Sequence, residues 1–372
     1  MKALHFPGNS FLIGTTKSQR SFIFDATTPE ITVPDAHCTR RYSTCKKFCN
    51  VRKSSDFIAK LSCSADLQGP MCSDVLCQRS SNRCGVRYSR LQSQFYYNKL
   101  RIFSQFWSSP NSDDVGVWAE DVISVQPLPG TDGEWRFIRL GTQPLVLKIP
   151  VAAFFDTRGM REIGTIGLGR QPKIKNIVQI LYENREIPYP AVTISMPKER
   201  LGIAQNFYFS FGDYNDKHCT ANWESVEAIG DREWMFDGLE AGFLDYQSSR
   251  GFRVILTTSD VIHMPKRVMD DFLERGVLAY TSKYSGEFNV YKINDTMAAR
   301  AFQNYFQITP SLRFDMEMSD ILFAREDDYV IQANWIEPNP DNVDWAVGKM
   351  ILYNNCVVLD YKKNILAFSK NK

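Results

Sequence analysis

The sequence of 372 residues predicts a mainly β protein built from two related halves. Short runs rich in Val, Ile, Phe and Tyr recur between turn-forming residues, as they do in β barrels and sandwiches. Helical periodicity is restricted to three short stretches. A weak internal repeat, with one copy in each half of the chain, points to a doubled architecture.

The predicted strands are spread along the whole chain. They cover residues 11–13, 21–24, 31–33, 115–125, 135–140, 191–195, 206–211, 254–256, 328–333 and 356–359. Residues 174–182 form the first predicted helix, because their apolar side chains recur on one helical face. Residues 267–276, which end at a glycine, form the second, and residues 295–306 are a third candidate.

The internal repeat consists of an apolar strand, a turn rich in Thr and Ser, and a return to a residue followed by proline. Residues 22–34 make the first copy and residues 254–265 the second. Further along the chain, each copy is followed by a short segment of two residues and a glycine, at residues 165–167 and 346–348. The same order of parts therefore occurs once in each half, although Thr/Ser turns are common by themselves.

Composition excludes several classes of function. Lys and Arg total 44 against 42 Asp and Glu, and this balance gives no whole-chain case for binding nucleic acid or a membrane surface. No apolar run reaches the roughly 18 residues of a membrane-spanning helix. The four histidines are scattered without metal-ligand spacing, so we expect no metal and no cofactor.

Cysteine placement indicates an oxidising compartment. Seven of the nine cysteines lie within residues 38–84, whereas Cys219 and Cys356 stand alone. Zinc sites usually show C-x2-C or C-x4-C pairs with a second pair downstream, and the cluster fits this spacing only loosely. A loop closed by disulfides is favoured, and it predicts a secreted protein. The glycosylation sequon at Asn294 agrees, but residues 1–10 lack an apolar signal segment, so we expect the leader to be missing from this chain.

In their order, these segments resemble the pepsin-like aspartic proteases. In that family two β lobes enclose a cleft, and each lobe contributes an Asp-Thr-Gly turn that a later apolar-apolar-Gly segment crosses. Residues 13–38 are similar to the family's entry strand, residues 163–169 to the strand closing its first lobe, and residues 345–368 to its terminal strand and hairpin. The resemblance covers nearly the whole chain, and the cysteine-rich insertion is similar to that of nematode members.

The resemblance implies a bilobal fold with few short helices. The first lobe would span residues 8–170, with a cysteine-rich insertion at 38–84 and a flap-like hairpin at about 103–118, and the second would span residues 171–372. Trp107 or Phe106 would take the place of the flap tyrosine, although a second alignment puts Tyr88 there. By the same resemblance, disulfides would join Cys38 to Cys45 and Cys219 to Cys356.

The two turns depart from the family at the catalytic positions. The first reads Asp25-Ala26-Thr27, and the second, aligned without a gap from Pro265, reads Leu256-Thr257-Thr258. Aspartic proteolysis needs two carboxylates that share one proton. In this alignment Leu256 replaces one of them, Thr27 and Thr258 replace the turn glycines, and Ala26 has lost a hydroxyl that ties the lobes together, whereas Thr257 keeps its own.

These departures leave three hypotheses. The leading one is a secreted, inactive pseudo-protease that binds a peptide or protein segment in the interlobe cleft, lined by Thr27, Thr257, Thr258, Phe106 and Trp107. The second is a weak or atypical aspartic endopeptidase that uses Asp25 with another acid, from Asp260 or from a partner chain. The third is an interaction or inhibitor scaffold that presents the basic, cysteine-rich loop. We expect a monomer with a peptide or protein ligand.

Overall fold

A computed structural model describes seventeen segments of the chain. They are residues 4–7, 11–13, 22–34, 97–106, 113–120, 122–125, 136–139, 145–149, 164–172, 174–196, 208–214, 218–284, 288–294, 296, 302–325, 328–353 and 355–372. Within these segments the protein is mainly β, which confirms the predicted class.

The strands are short and follow one another closely along the chain. In chain order they are β1 (Leu4–Pro7), β2 (Phe11–Ile13), β3 (Phe22–Asp25), β4 (Ile31–Pro34), β5 (Tyr97–Phe106), β6 (Asp113–Glu120), β7 (Val122–Val125), β8 (Arg136–Arg139), β9 (Leu145–Ile149), β10 (Gly164–Gly167), β11 (Ala191–Ser195), β12 (Tyr208–Phe211), β13 (Glu224–Glu227), β14 (Met235–Gly238), β15 (Glu240–Phe243), β16 (Tyr246–Ser248), β17 (Phe252–Leu256), β18 (Ile262–Pro265), β19 (Leu278–Tyr284), β20 (Phe288–Ile293), β21 (Asn304–Gln307), β22 (Arg313–Met316), β23 (Phe323–Arg325), β24 (Asp328–Ile336), β25 (Trp345–Val347), β26 (Asn355–Asp360) and β27 (Ile365–Lys370).

Within the described residues, the first two predicted helices are present, and Thr296 of the third is helical. The helix α1 (Ile177–Glu183) begins at Asn176, whose side chain accepts hydrogen bonds from the backbone N–H groups of the first turn in a capping box. The amphipathic helix α2 (Lys266–Glu274) buries one apolar face. Two single-turn helices, α3 (Met318–Ile321) and α4 (Lys349–Leu352), had no sequence signal.

The third predicted helix, over residues 295–306, is wrong at its C-terminal end. Residues 304–306 belong to strand β21, which pairs with both β15 and β22. This pairing buries apolar side chains of the strand, since Tyr305 and Phe306 lie in the core. Burial against neighbouring strands therefore decides the structure of these residues.

Two sheets repeat one strand order. The first runs β3-β10-β4-β9-β6-β5, and the second contains β17-β25-β18-β24-β20-β19 in the same succession. The directions also match, because each successive pair is parallel, antiparallel, parallel, antiparallel and antiparallel in both sheets. The weak repeat in the sequence thus corresponds to a repeated topology.

A third sheet joins the two ends of the chain. Its order is β1-β12-β11-β26-β27-β13, so the N-terminal strand β1 pairs with β12, and the C-terminal hairpin β26–β27 lies between β11 and β13. Every residue of β11 and β26 is buried. A four-stranded sheet, β16-β15-β21-β22, and a three-stranded sheet, β2-β7-β8, complete the described sheets.

The core runs without a break from the first repeat into the second. Phe24 of β3 stacks on Phe209 of β12 with ring centroids 3.6 Å apart, and both side chains are buried. The carbonyl oxygen of Leu168, just after β10, accepts hydrogen bonds from the Trp234 indole at 2.7 Å and the Tyr361 hydroxyl at 2.6 Å. Contacts made by residues of the second half therefore fix the end of the first repeat.

Candidate functional site

The candidate site is formed by two turns that occupy the same place in the two repeated sheets. The first turn joins β3 to β4, and the second joins β17 to β18. In each repeat the strand that enters the turn is parallel to a strand from much later in the chain, β10 in the first and β25 in the second. The strand β10 ends at Gly167, and β25 ends just before Gly348.

Both glycines are required by close approach of the turn backbone. A Cβ atom added to Gly167 would overlap the carbonyl oxygen of Thr28, and one added to Gly348 would overlap that of Ser259. Any larger residue would push the crossing strand away from its turn. The apolar-apolar-Gly signal in the sequence therefore marks positions where only glycine fits.

Strand register identifies the counterpart of Asp25 in the second turn. Asp25 lies opposite Gly167, whereas Leu256 lies opposite Val347, the residue before Gly348. Thr257 is the next residue, and its Oγ1 lies 2.6 Å from the position of a Cβ added to Gly348. By register, Thr257 rather than Leu256 corresponds to Asp25.

The local hydrogen bonds agree with this assignment. The backbone N–H of Thr27 donates to Asp25 Oδ1 at 2.8 Å, two residues along the turn. In the second turn the backbone N–H of Ser259 donates to Thr257 Oγ1 at 3.3 Å, again two residues along. The side chains of Asp25 and Thr257 therefore fold back on their own turns in the same way.

This register differs by one residue from the ungapped alignment, which put Leu256 in the catalytic position. The Leu256 side chain is fully buried within the hydrophobic core, at the place that Phe24 takes in the first repeat. The second turn is one residue shorter than the first between the parallel strand and the following proline, so an alignment without a gap from Pro265 is displaced. In either alignment, the second turn has no acidic residue at the position that corresponds to Asp25.

A hydrogen bond joins the two turns. The Thr258 hydroxyl donates to the carbonyl oxygen of Phe24, the residue that precedes Asp25. The sequence alignment had given Thr257 the role of tying the turns together, so this contact is displaced by the same single residue. Ala26, which corresponds to Thr258 in the first turn, is fully buried and has no hydroxyl to return the bond. The link between the turns is thus one-sided.

The Asp25 carboxylate is held by its own turn. Besides the Thr27 N–H, the hydroxyl of Thr27 donates to Oδ1 at 2.6 Å and the hydroxyl of Thr28 donates to Oδ2 at 3.3 Å. In the part of the chain that the structure describes, none of its hydrogen-bond partners is a second carboxyl group. The Thr27 hydroxyl therefore adds a hydrogen bond to the Asp25 side chain that glycine could not donate.

Asp260, the other acid considered from the sequence, is engaged elsewhere. Its Oδ2 lies 2.6 Å from the Lys349 ammonium in a partly exposed ion pair. The backbone N–H of Lys349 also donates to the carbonyl oxygen of Ser259 at 3.0 Å, so this pair anchors the second turn to the start of α4. The described hydrogen bonds and ion pairs thus give Asp260 a structural partner in Lys349, and those of Asp25 lie within its own turn.

The hairpin predicted near residues 103–118 is formed by β5 and β6. The two strands are antiparallel, and Phe106, the last residue of β5, lies opposite Asp113. Trp107 and Tyr88 lie outside the described residues, as do Cys38, Cys45 and the rest of the cysteine-rich insertion.

The disulfide between Cys219 and Cys356 is present. The two Cα atoms are 5.9 Å apart and both side chains are buried. It joins the segment that precedes β13 to β26, an interior strand of the same sheet. The sequon residue Asn294 follows β20 and is exposed.

Two polar groups of the second half gave no signal in the sequence. Asp360 is fully buried and accepts hydrogen bonds from the Tyr189 and Tyr214 hydroxyls and from the backbone N–H groups of residues 362 and 363. Burial, reinforced by the hydrogen bond to Asp360, raises the pKa of Tyr189 to about 12. His263 of β18 lies beside Ala346 in the sheet, and its burial lowers the pKa of the imidazole to about 4.

Comparisons with protein-family models and with curated proteins find no match for this chain. Among the described residues, no helix has the length and apolar character needed to cross a membrane. Within the same segments, no three His, Cys, Asp or Glu side chains are grouped so that they could hold a metal ion.

Proposed function

We propose that this chain is a secreted, pepsin-like protein whose proteolytic centre has been lost and which binds a peptide or protein segment between its two turns. The observation that carries the proposal is the register of the second turn, in which Thr257 stands where Asp25 stands in the first. The bilobal fold and the family relationship are part of this proposal.

The repeated sheet order supports a two-lobed ancestry. Two sheets with six strands in the same order and the same directions are expected when one unit has been duplicated and the copies face each other. The equivalent turns meet through the Thr258 hydroxyl and the Phe24 carbonyl oxygen, so any groove between the copies would have these turns at its floor. Fold alone does not fix function, and the turns must therefore carry the argument.

The chemistry of the two turns argues against proteolysis. In an aspartic dyad one carboxylate takes a proton from water while the other, protonated, donates to the substrate carbonyl. A threonine hydroxyl at position 257 is neither a base nor an acid at the pH where carboxylates titrate. General acid–base catalysis contributes about 10²–10⁴-fold per group, so its loss leaves little rate. The Asp260–Lys349 ion pair gives no support to the alternative in which Asp260 replaces the missing acid.

The same turns retain groups suited to binding a peptide backbone. The Asp25 carboxylate can accept a further hydrogen bond, and the hydroxyls of Thr27, Thr257 and Thr258 can each accept one. Peptide N–H groups are the natural donors to such a row of oxygens. A peptide laid across the turns would thus find acceptors in both repeats without being cleaved.

Two measurements test the proposal. The purified protein is first incubated at acid pH with a diverse peptide mixture, and we expect no cleavage above that of the Asp25→Asn variant. Peptides enriched on the protein from a displayed library are then measured against Asp25→Asn and Thr257→Trp, with Ser249→Trp, at an exposed position, as control. We expect weaker binding to the first two variants only. Pepstatin-sensitive cleavage that requires Asp25, or binding that is unaffected by either turn variant, would overturn the proposal.

A further inference from the structure

We propose that Asn294 is a site of N-linked glycosylation. It belongs to the single Asn-x-Ser/Thr sequon of the chain, formed with Asp295 and Thr296. A sequon by itself is a weak signal, because it also occurs by chance in proteins that never meet the glycosylation machinery. Two structural observations strengthen it, and neither depends on what the two turns bind.

The first observation is the presentation of the acceptor side chain. Asn294 directly follows β20, at the base of the hairpin that β20 forms with β19, and its backbone N–H donates to the carbonyl oxygen of Val277 at 3.1 Å. Its side chain is exposed, and the Oδ1 atom accepts a hydrogen bond from the backbone N–H of Thr296 at 2.9 Å. The amide Nδ2 makes no hydrogen bond to any described residue, so the atom that would carry the sugar stays available.

Both described residues of the sequon lie at the surface. Asn294 and Thr296 are exposed, and the Asn294 backbone is fixed by its hydrogen bond to Val277. A glycan on the exposed Asn294 side chain would therefore extend into solvent.

The second observation is a disulfide, which indicates the compartment in which the protein folds. The disulfide between Cys219 and Cys356 joins two buried residues and is independent of the sequon in both position and chemistry. Disulfides of this kind form and persist in the oxidising secretory pathway, where N-glycans are also attached. One chain that carries both features is thus expected to receive both modifications.

The chemical step transfers an oligosaccharide from a lipid diphosphate donor. Asn294 Nδ2 forms a bond to C1 of the first sugar, and the bond between C1 and the diphosphate oxygen breaks. The lipid diphosphate leaves with the bonding electron pair, and one amide proton passes to a base of the host transferase. No oxidation or reduction takes place.

The test uses the full chain, expressed behind a secretory leader in eukaryotic cells and purified from the medium. Mass spectrometry of the peptide containing residue 294 is expected to show a glycan, and digestion with peptide N-glycosidase is expected to leave aspartate there. Asn294→Gln and Thr296→Ala should abolish the modification, whereas Thr296→Ser should retain it. Because Asn294 and Thr296 are both exposed, the variants should secrete as well as the parent.

Disulfide mapping of the same preparation provides the internal control. Secreted protein that contains the Cys219–Cys356 bond but has an unmodified Asn294 would overturn the proposal. A glycan that persists in the Thr296→Ala variant would also overturn it, because the modification would then lie elsewhere. Neither result would bear on peptide binding by the two turns, which is measured separately.

Discussion

The Thr258 hydroxyl donates a hydrogen bond to the carbonyl oxygen of Phe24, and this contact joins two turns 234 residues apart in the sequence. No hydroxyl returns the bond, since Ala26 stands at the corresponding place in the first turn. The hydroxyl of this hydrogen bond between the turns thus comes from the second turn. Phe24 itself is buried, so its carbonyl oxygen has little access to water as a substitute partner.

Removing the Thr258 hydroxyl should lower the stability of the folded protein measurably. We expect Thr258→Val to lower the free energy of unfolding by about 1–2 kcal/mol, because a buried carbonyl group loses its partner. Thr258→Ser, which keeps the hydroxyl, should lose less than half of that. Urea unfolding followed by tryptophan fluorescence measures both values; equal losses for the two variants would mean that the methyl group, not the hydrogen bond, matters.

Aspartate substitutions at neighbouring positions test the register of the second turn. Leu256→Asp places a carboxylate in the apolar core and should cost about 4 kcal/mol or more, enough to prevent folding in many proteins. Thr257→Asp can accept the Ser259 N–H as Asp25 accepts that of Thr27, and should cost less than about 2 kcal/mol.

Circular dichroism and urea unfolding of the two aspartate variants distinguish the alignments. If Leu256→Asp folds as well as the parent while Thr257→Asp does not, then the ungapped alignment is the better description of this turn. The cleft assignment would then need to be rebuilt around Leu256.

Gly167 and Gly348, which approach the backbone of the two turns, should tolerate no side chain. Gly167→Ala and Gly348→Ala each drive a methyl group into turn backbone, and we expect losses of about 3 kcal/mol or failure to fold. Gly251→Ala is the matched control, because a Cβ atom there has its nearest neighbour at 3.5 Å, an ordinary contact. Thermal unfolding of the three variants should separate Gly251→Ala from the others; similar behaviour of all three would contradict the close approach.

The disulfide should contribute a large share of the stability. Cys219 and Cys356 are separated by 137 residues, and in the chain-entropy model closure of a loop this long stabilises by up to about 4–5 kcal/mol. The Cys219→Ser/Cys356→Ser double variant should therefore unfold at much lower urea concentration than the parent. The parent in reductant should behave like the double variant, and failure to do so would mean that the bond resists reduction or contributes little.

Acid should destabilise the protein through His263. The pKa of its imidazole is about 4 in the folded state and near 6.5 when unfolded, so the unfolded state binds more protons between these values. The stabilisation is complete above pH 6.5 and is lost as pH falls toward 4, by on the order of 1–3 kcal/mol. His263→Gln should flatten this part of the pH profile measured by urea unfolding. An unchanged profile would show that other groups dominate.

Much of the architecture was readable from the sequence because strand and turn signals are local. Runs such as β11 and β17 alternate or bury apolar side chains in ways that a short window detects. The repeat of β3 with β17 was visible because glycines at positions 167 and 348 are fixed by close backbone approach. Strand β21 was missed because its burial comes from pairing with distant strands, which no local window contains.

The candidate site was readable in part. Asp25 and the threonines of both turns were identified from residue type and order, but the one-residue offset of the second turn depends on pairing between β17 and β25. The buried Asp360 was missed because its four hydrogen-bond donors come from Tyr189, Tyr214 and the backbone beyond β26. Such a cluster exists only after the third sheet has assembled.

The pairing of strand β1 affects the order in which the protein can fold during synthesis. Leu4 pairs with Phe211 and Pro7 with Tyr208, so β1 is synthesised long before the strand with which it pairs. Contacts of such long sequence separation form late and slowly. Until then the edge of β12 lies open to any other extended segment, which makes this edge a place for a chaperone to protect or for a second nascent chain to invade.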